Sequence, residues 1–391
     1  MKLAKRIQKL SPSVTLAVTQ LAKELKAQGK DILSFSAGEP DFDTPKLIKD
    51  EAIKAINDGK TNYTEVAGIP ELKSAIVQKL KDDHGLKYEP EDIIVSNGAK
   101  HSLFNIFQAI VDEGDEVIIP APYWVTYPEQ VKLCGGKPVF INTTEETNFC
   151  ISAKDLKKAL SKKTVALVLN SPSNPTGSVY SDKNLLEIAR VLEGTDVLVL
   201  SDEMYEKIIY DGKIFTSTAQ VSEDMFQRTI TINGLSKSVA MTGWRFGYLA
   251  SVKKDLIKAM TKLQGQCTSN INTPTQYAAI PALKGKVKNE IETMRKEFEI
   301  RRDKAFTMLN AIDGLSCFKP DGAFYLFVSI KEFNIPSVDF CSQILEKKGI
   351  ALVPGLGFGL EGYFRFSFAT DLASIEKGIK RIEQFIKEDL S

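Results

Sequence analysis

Short apolar runs rich in Val, Ile and Leu recur along the chain. Between them lie longer segments whose apolar residues repeat at helical spacing. Val14, Leu16, Ala17, Leu21 and Leu25 predict a helix over about residues 14–28, closed by Gly29. Ile32–Ser36 reads as a short strand. Pro70 suits the first turn of another helix. Ile93–Asn97 reads as a strand that turns at Gly98 into a helix carrying Leu103, Phe104, Phe107 and Ile110. Further strands are predicted at Glu116–Pro120, Val165–Leu169, Val197–Ser201, Thr229–Ile232 and Phe246–Ala250. Helices are predicted near 182–193, 253–264 and 272–283, and a charged one near 286–310 is expected to cross between domains. Beyond it, strands Phe324–Val328, Ile350–Val353 and Tyr363–Phe368 alternate with helices 337–348 and 372–388. This alternation predicts an α/β fold.

The length of 391 residues predicts two domains. Hydrophobic residues make up 43% and charged residues 26%, ordinary for a globular protein. The net charge is +1 and no like-charge block stands out, so neither nucleic acid nor a membrane surface is an expected partner. No apolar run is long enough for a membrane span. Met1–Arg6 is not followed by the apolar stretch of a secretion signal. Five scattered cysteines, Cys134, Cys150, Cys267, Cys317 and Cys341, fit a reducing cytoplasm without structural zinc. Only His84 and His101 are present, and His84 reads as a helix-end residue. Chemistry must therefore come from Lys, Asp, Tyr, Arg or a cofactor.

The loop between Ile232 and Phe246 carries Ser236, Lys237, Ser238, Thr242 and Arg245 and no carboxylate. Hydroxyls with a lysine and an arginine suit an anion, and a lysine in an apolar frame is a usable amine nucleophile. At Gly98-Ala99-Lys100 a strand turns into a helix, and a helix start can hold a phosphate, although many such joints bind nothing. Trp124 follows a strand and could pave a flat ring or fill a core. Asn174 lies in a turn locked by Pro172 and Pro175 and would present a rigid amide. Asp202 ends an apolar strand, where a carboxylate needs a partner: a protonated ring nitrogen, or the N–H groups of a helix it caps. Tyr205 lies three residues on. Arg365 sits among four aromatics, so a bound carboxylate or a cross-strand ion pair must meet its charge. Gly357-Phe358-Gly359-Leu360-Glu361-Gly362 matches a dinucleotide fingerprint, but a strand follows it instead of a helix.

Ser236-Lys237 and Met241-Thr242-Gly243-Trp244-Arg245-Phe246-Gly247-Tyr248 closely resemble the lysine loop of the class I aminotransferases. These are fold-type-I enzymes using pyridoxal 5′-phosphate (PLP), and the likeness is to their aspartate aminotransferase branch, over about residues 5–388. The resemblance implies a large PLP-binding domain, 41–298, with a mostly parallel sheet flanked by helices. A smaller α+β domain is implied for 1–40 and 299–391. It implies that Lys237 holds PLP as a Schiff base, that Asp202 holds the ring nitrogen protonated, and that Tyr205 and Asn174 reach the ring hydroxyl. Trp124 would stack on the ring. Gly98, Ala99, Lys100, Ser236 and Arg245 would surround the phosphate, joined by Tyr63 from the neighbouring subunit of a homodimer. Gly38, Trp124, Asn174 and Arg365 would meet the substrate, Arg365 by its α-carboxylate.

The implied activity is ping-pong transfer of the amino group of L-aspartate to 2-oxoglutarate, giving oxaloacetate and L-glutamate. Ser13, Thr15 and Lys100 are the candidates for the distal carboxylate. Members that also accept prephenate carry a lysine at the position of Ser11, which argues against that substrate here. Two alternatives share the scaffold: an aminotransferase for aromatic or other amino acids, and a carbon–sulfur lyase. A non-enzymatic sensor of the same fold is disfavoured, since no DNA-binding head or basic patch is visible.

Overall fold

The structure, a computed structural model, describes residues 2–390. Met1 and Ser391, the end residues of the expected small domain, lie outside it. Its first strand is the two-residue β1 (Leu33–Ser34). Seven strands then build a large sheet: β2 (Ile93–Asn97), β3 (Glu116–Ala121), β4 (Lys137–Asn142), β5 (Thr164–Asn170), β6 (Leu198–Asp202), β7 (Thr229–Gly234) and β8 (Phe246–Ala250). The last five are β9 (Ser316–Cys317), β10 (Tyr325–Ser329), β11 (Ile350–Ala351), β12 (Val353–Pro354) and β13 (Tyr363–Ser367).

The large sheet runs β2-β8-β7-β6-β5-β3-β4. All its neighbours are parallel except β8, which is antiparallel to both β7 and β2. The central strands are apolar without alternation because both faces are covered. Ile94, Val117, Val168 and Leu200 point into one core. Their chain neighbours Val95, Ile118, Leu167 and Val199 point into the packing on the other face. Strands of this kind are buried by crossover helices, which here include Ala99–Ile110 and Asp182–Leu192.

The second sheet is antiparallel, in the order β12-β13-β10-β9. The 23-residue helix Lys288–Asn310 packs against β9 and β10, and its buried Phe298 meets Phe324 at 5.3 Å. β1 pairs in parallel with β11, which ties the N-terminal segment to the C-terminal part of the chain.

The elements that differ from the hydropathy reading include three strands. The strand expected at Ile32–Ser36 shrinks to β1, because the Phe35 carbonyl turns to accept from Ser367 N and the Ser36 carbonyl accepts from Arg365. The strand expected at Ile350–Val353 divides at Leu352, with β11 joining β1 and β12 joining β13. β4 was not predicted; it is half exposed and its pattern has no clean period. The glycine-rich segment before β13 forms one tight helical turn, Gly355–Phe358, and leads into a strand, so no dinucleotide-type helix start exists there.

Candidate active site

The C-terminal ends of the parallel strands meet at one edge of the large sheet, where open α/β sheets place their ligands. β6 ends in Asp202, β5 in Asn170, and β7 leads into Ser236 and Lys237. β8 runs the other way, so Arg245, the residue before it, arrives at the same edge. β2 ends at the turn that starts helix Ala99–Ile110, with Gly98 as N-cap at φ +78°. A side chain on Gly247 would strike Ala99 N at 2.3 Å, so this glycine lets β8 lie against the helix start. A Cβ on Gly98 would lie 2.4 Å from Arg245 Nη2, so the guanidinium occupies the space directly over the helix start.

These ends, the N-terminal helix Val14–Ala27 and the second sheet enclose a cleft of about 520 Å³. Gly38, Ala99, Lys100, Trp124, Asn174, Asp202, Tyr205, Ser236, Lys237, Arg245 and Arg365 all line it, as do Ser13 and Thr15. Gly98 sits just behind Ala99 as the helix cap. Tyr63 does not line it. It is 88% exposed and borders a separate surface depression with Tyr277. Ser11 is also outside the cleft, its N–H donating to Glu129 Oε2 at 2.7 Å.

The Lys237 amine donates to the Gly38 carbonyl at 2.6 Å. Burial depresses its pKa to about 8; Glu39 pulls it back up while Arg245 and Arg365 push it down. Asp202 is 4% exposed. Burial raises its carboxyl to about 6, against the hydrogen bonds from Tyr127 and Met204 N and the charge of Lys237. The Tyr127 hydroxyl reaches Asp202 Oδ2 at 2.6 Å, and Met204 N reaches Oδ1 at 3.3 Å. No helix starts at Asp202, so helix capping does not account for it. Among the described residues no lysine or arginine forms an ion pair with it.

Arg365 is 2% exposed and meets no carboxylate among the described residues, which removes the cross-strand ion pair. Nη1 donates to Asn174 Oδ1 at 2.9 Å and Nη2 to the Ser36 carbonyl at 2.7 Å, while buried Nε has no partner. Tyr325 and Phe358 lie against the guanidinium, with ring centroids 4.4 and 5.1 Å from it. The Lys100 ammonium lies 4.9 Å from the Trp124 ring centroid, and burial lowers its pKa.

Several lining residues carried no signal in the sequence reading. Tyr127 and Tyr325 are apolar-pattern aromatics until the fold turns their hydroxyls to Asp202 and Tyr205. Asn170 accepts from Asn174 N at 2.8 Å and orders the asparagine turn. Glu39 accepts from the Thr242 hydroxyl at 2.9 Å. The Asn170 contact was the most findable, since Asn170 stands four residues before Asn174 in the same proline-locked segment.

A lysine and a carboxylate at strand ends, a helix-start cradle under an arginine and a buried, carboxylate-free arginine share one cleft. Residues 30–382 match the family model described as "Aminotransferase class I and II". The chain belongs to this family. It is 50% identical over 390 residues to the aspartate aminotransferase of Bacillus sp. (strain YM-2), covering 98% of this chain and 99% of that protein. Among solved structures, the aspartate aminotransferase from Rhizobium meliloti superposes with a TM-score of 0.95 at 41% identity, covering 98% of each chain. That from Thermus thermophilus with maleate superposes at 0.94 with 40% identity, covering 98% of this chain and 99% of that one.

The family's fold is thus fold type I, and its members are PLP-dependent. The residues present fit that cofactor. The Gly98 cradle under Arg245, with Ser236 beside it, suits a phosphate. Asp202, buried without a cationic partner, suits a protonated ring nitrogen. Lys237, with its depressed pKa, suits covalent attachment. Among the described residues no helix is long and apolar enough to cross a membrane.

Proposed function

We propose that the protein is an aspartate aminotransferase, passing the amino group of L-aspartate to 2-oxoglutarate in two half-reactions. The observation that carries this reading is Arg365, a buried guanidinium with a free Nε in the same cleft as Lys237. A buried cation without a carboxylate is costly, and an incoming α-carboxylate would satisfy it by a two-point bond. Asn174 and the Ser36 carbonyl hold the guanidinium ready. Lys100, with Ser13 and Thr15 in the same cleft, offers a second anion position, which would select a dicarboxylate over a neutral side chain.

When bound, PLP supplies an electron sink beside the substrate Cα. Asp202 would keep that sink protonated, and Tyr127 would keep Asp202 ionised. Gly98, Ala99, Ser236 and Arg245 would hold the phosphate, Trp124 the ring face, and Tyr205 with Asn174 the ring hydroxyl. Gly38 would contribute its backbone to the substrate carboxylate. Lys237, half neutral near pH 8, would take the proton from Cα as general base and return it on the far side of the reaction.

We further infer a homodimer in which Tyr63, exposed in one chain, completes the neighbouring phosphate site. The reading also includes a large domain over 41–298 and a small one over 1–40 and 299–391, supported by the β1–β11 pairing. Five unpaired cysteines support a cytoplasmic setting.

The test is a near-UV and visible spectrum after loading with PLP. L-Aspartate alone should abolish the visible band and release oxaloacetate, and 2-oxoglutarate should restore it. A band that ignores aspartate and responds to an aromatic amino acid would overturn the substrate. No band after PLP would overturn the whole reading.

A further inference from the structure

Two buried tyrosines join the two sheets across the cleft. Tyr205 comes from the turn after β6, and Tyr325 opens β10. Their hydroxyls are 2.8 Å apart and both side chains line the cleft. The rings meet edge to face at 5.9 Å. Tyr325 is fully buried and also carries Arg365 on its ring face, 4.4 Å from centroid to guanidinium. That second contact follows from register: Arg365 pairs with Phe327, and Tyr325 is two residues along the same face of β10. Tyr325 therefore touches the arginine with its ring face and Tyr205 with its hydroxyl.

Two hydroxyls bonded to each other leave one O–H free. If Tyr205 donates, its own proton is spent on Tyr325. If Tyr325 donates, the proton of Tyr205 is free for the cleft, and it is polarised by the bond it accepts. We propose that Tyr325 is a positioning residue. By donating to Tyr205 it directs the Tyr205 O–H at the cofactor ring oxygen, and its ring sets the plane in which Arg365 receives a carboxylate. This rests on the aminotransferase reading above, with Tyr205 facing the ring.

The test separates the hydroxyl from the ring. In PLP-loaded protein, an O–H donated to the ring oxygen favours its negative form, so weakening that donation raises the pH midpoint of the visible band. Tyr325→Phe should raise this midpoint by about half a pH unit or more. It should leave the dissociation constant of maleate, an unreactive dicarboxylate, within about twofold, because the ring still backs Arg365. Tyr325→Leu should weaken maleate about tenfold, since the ring is gone. Replacement of Tyr325 by 3-fluorotyrosine, a stronger donor of the same size, should move the midpoint down. Tyr205→Phe should abolish the response to either change at Tyr325. A smaller rise with Tyr325→Phe, or no fall with 3-fluorotyrosine, overturns the proposal while wild type still shows its band and its aspartate response. Wild type without a band overturns the aminotransferase reading instead.

Discussion

Tyr127 donates its hydroxyl proton to Asp202 Oδ2 at 2.6 Å, with both side chains shut away from water. Its ring also meets Trp124 edge to face at 5.4 Å. One aromatic thus steadies the carboxylate and the ring that would stack over the same cofactor. Burial pushes the Asp202 carboxyl up, and this bond holds it down. Tyr127→Phe should therefore weaken PLP binding by about tenfold, the cost of a hydrogen bond to a charged group. The loss should be larger at pH 6 than at pH 8, because the variant's carboxyl is then mostly protonated. Fluorescence titration of unloaded protein with PLP at the two pH values checks both points.

Asp202 also makes a stability prediction for the unloaded protein. Its folded pKa, about 6, lies above the ordinary 3.8. Its contribution is therefore fully favourable below the unfolded value and is lost as pH rises to about 6, a cost of roughly 3 kcal/mol. Asp202→Asn removes the charge without changing the shape. Unloaded Asp202→Asn should be more stable than wild type in urea at pH 7–8 and show no advantage near pH 4. Its turnover should fall about a hundredfold or more, since the electron sink loses its counter-ion.

Lys237 has the opposite sign, a cation whose pKa is lowered to about 8. The neutral amine is the reactive form, so the rate of PLP attachment should climb with pH and level off above a midpoint about 8. Stopped-flow absorbance at a series of pH values measures this. Lys237→Ala should show no visible band and lose about ten-thousandfold in turnover.

Arg365→Lys keeps the charge and loses the fork. Lysine cannot reach Asn174 Oδ1, the Ser36 carbonyl and a carboxylate in the one geometry that the guanidinium spans. The KM for aspartate and for 2-oxoglutarate should both rise about a hundredfold, with PLP affinity near wild type. A loss of PLP affinity in place of the KM change would assign Arg365 to the cofactor.

Gly98→Ala should act on the phosphate cradle. The new Cβ meets the far end of Arg245, which can swing aside at little cost to the fold. The backbone at φ +78° and ψ 160°, a region nearly closed to side chains, adds about 2–3 kcal/mol of strain. PLP affinity should fall about tenfold as the guanidinium is displaced. Melting should fall by several degrees, roughly the effect of 2–3 kcal/mol in a chain this size.

Much of this protein was legible in its residues. The strands β7 and β8, the loop that joins them and the charges in that loop lie within about twenty consecutive positions. Backbone preference and apolar period act over such distances. Asp202 at the end of an apolar strand and Asn174 in its double-proline turn were visible for the same reason. What the chain order did not disclose are partnerships between distant segments. Tyr127 and Asp202 are 75 residues apart, Tyr205 and Tyr325 are 120, and Ser36 and Arg365 are 329. An aromatic in an apolar run looks the same whether its hydroxyl faces a carboxylate or a void. The half-exposed β4 shows the same limit, since its place depends on the partner β3. The residues by themselves determined which chemistry was possible and where the long central strands lay. Sheet order and the packing of one sheet on the other decided which groups meet, because burial and hydrogen bonding across hundreds of residues are set by the whole fold.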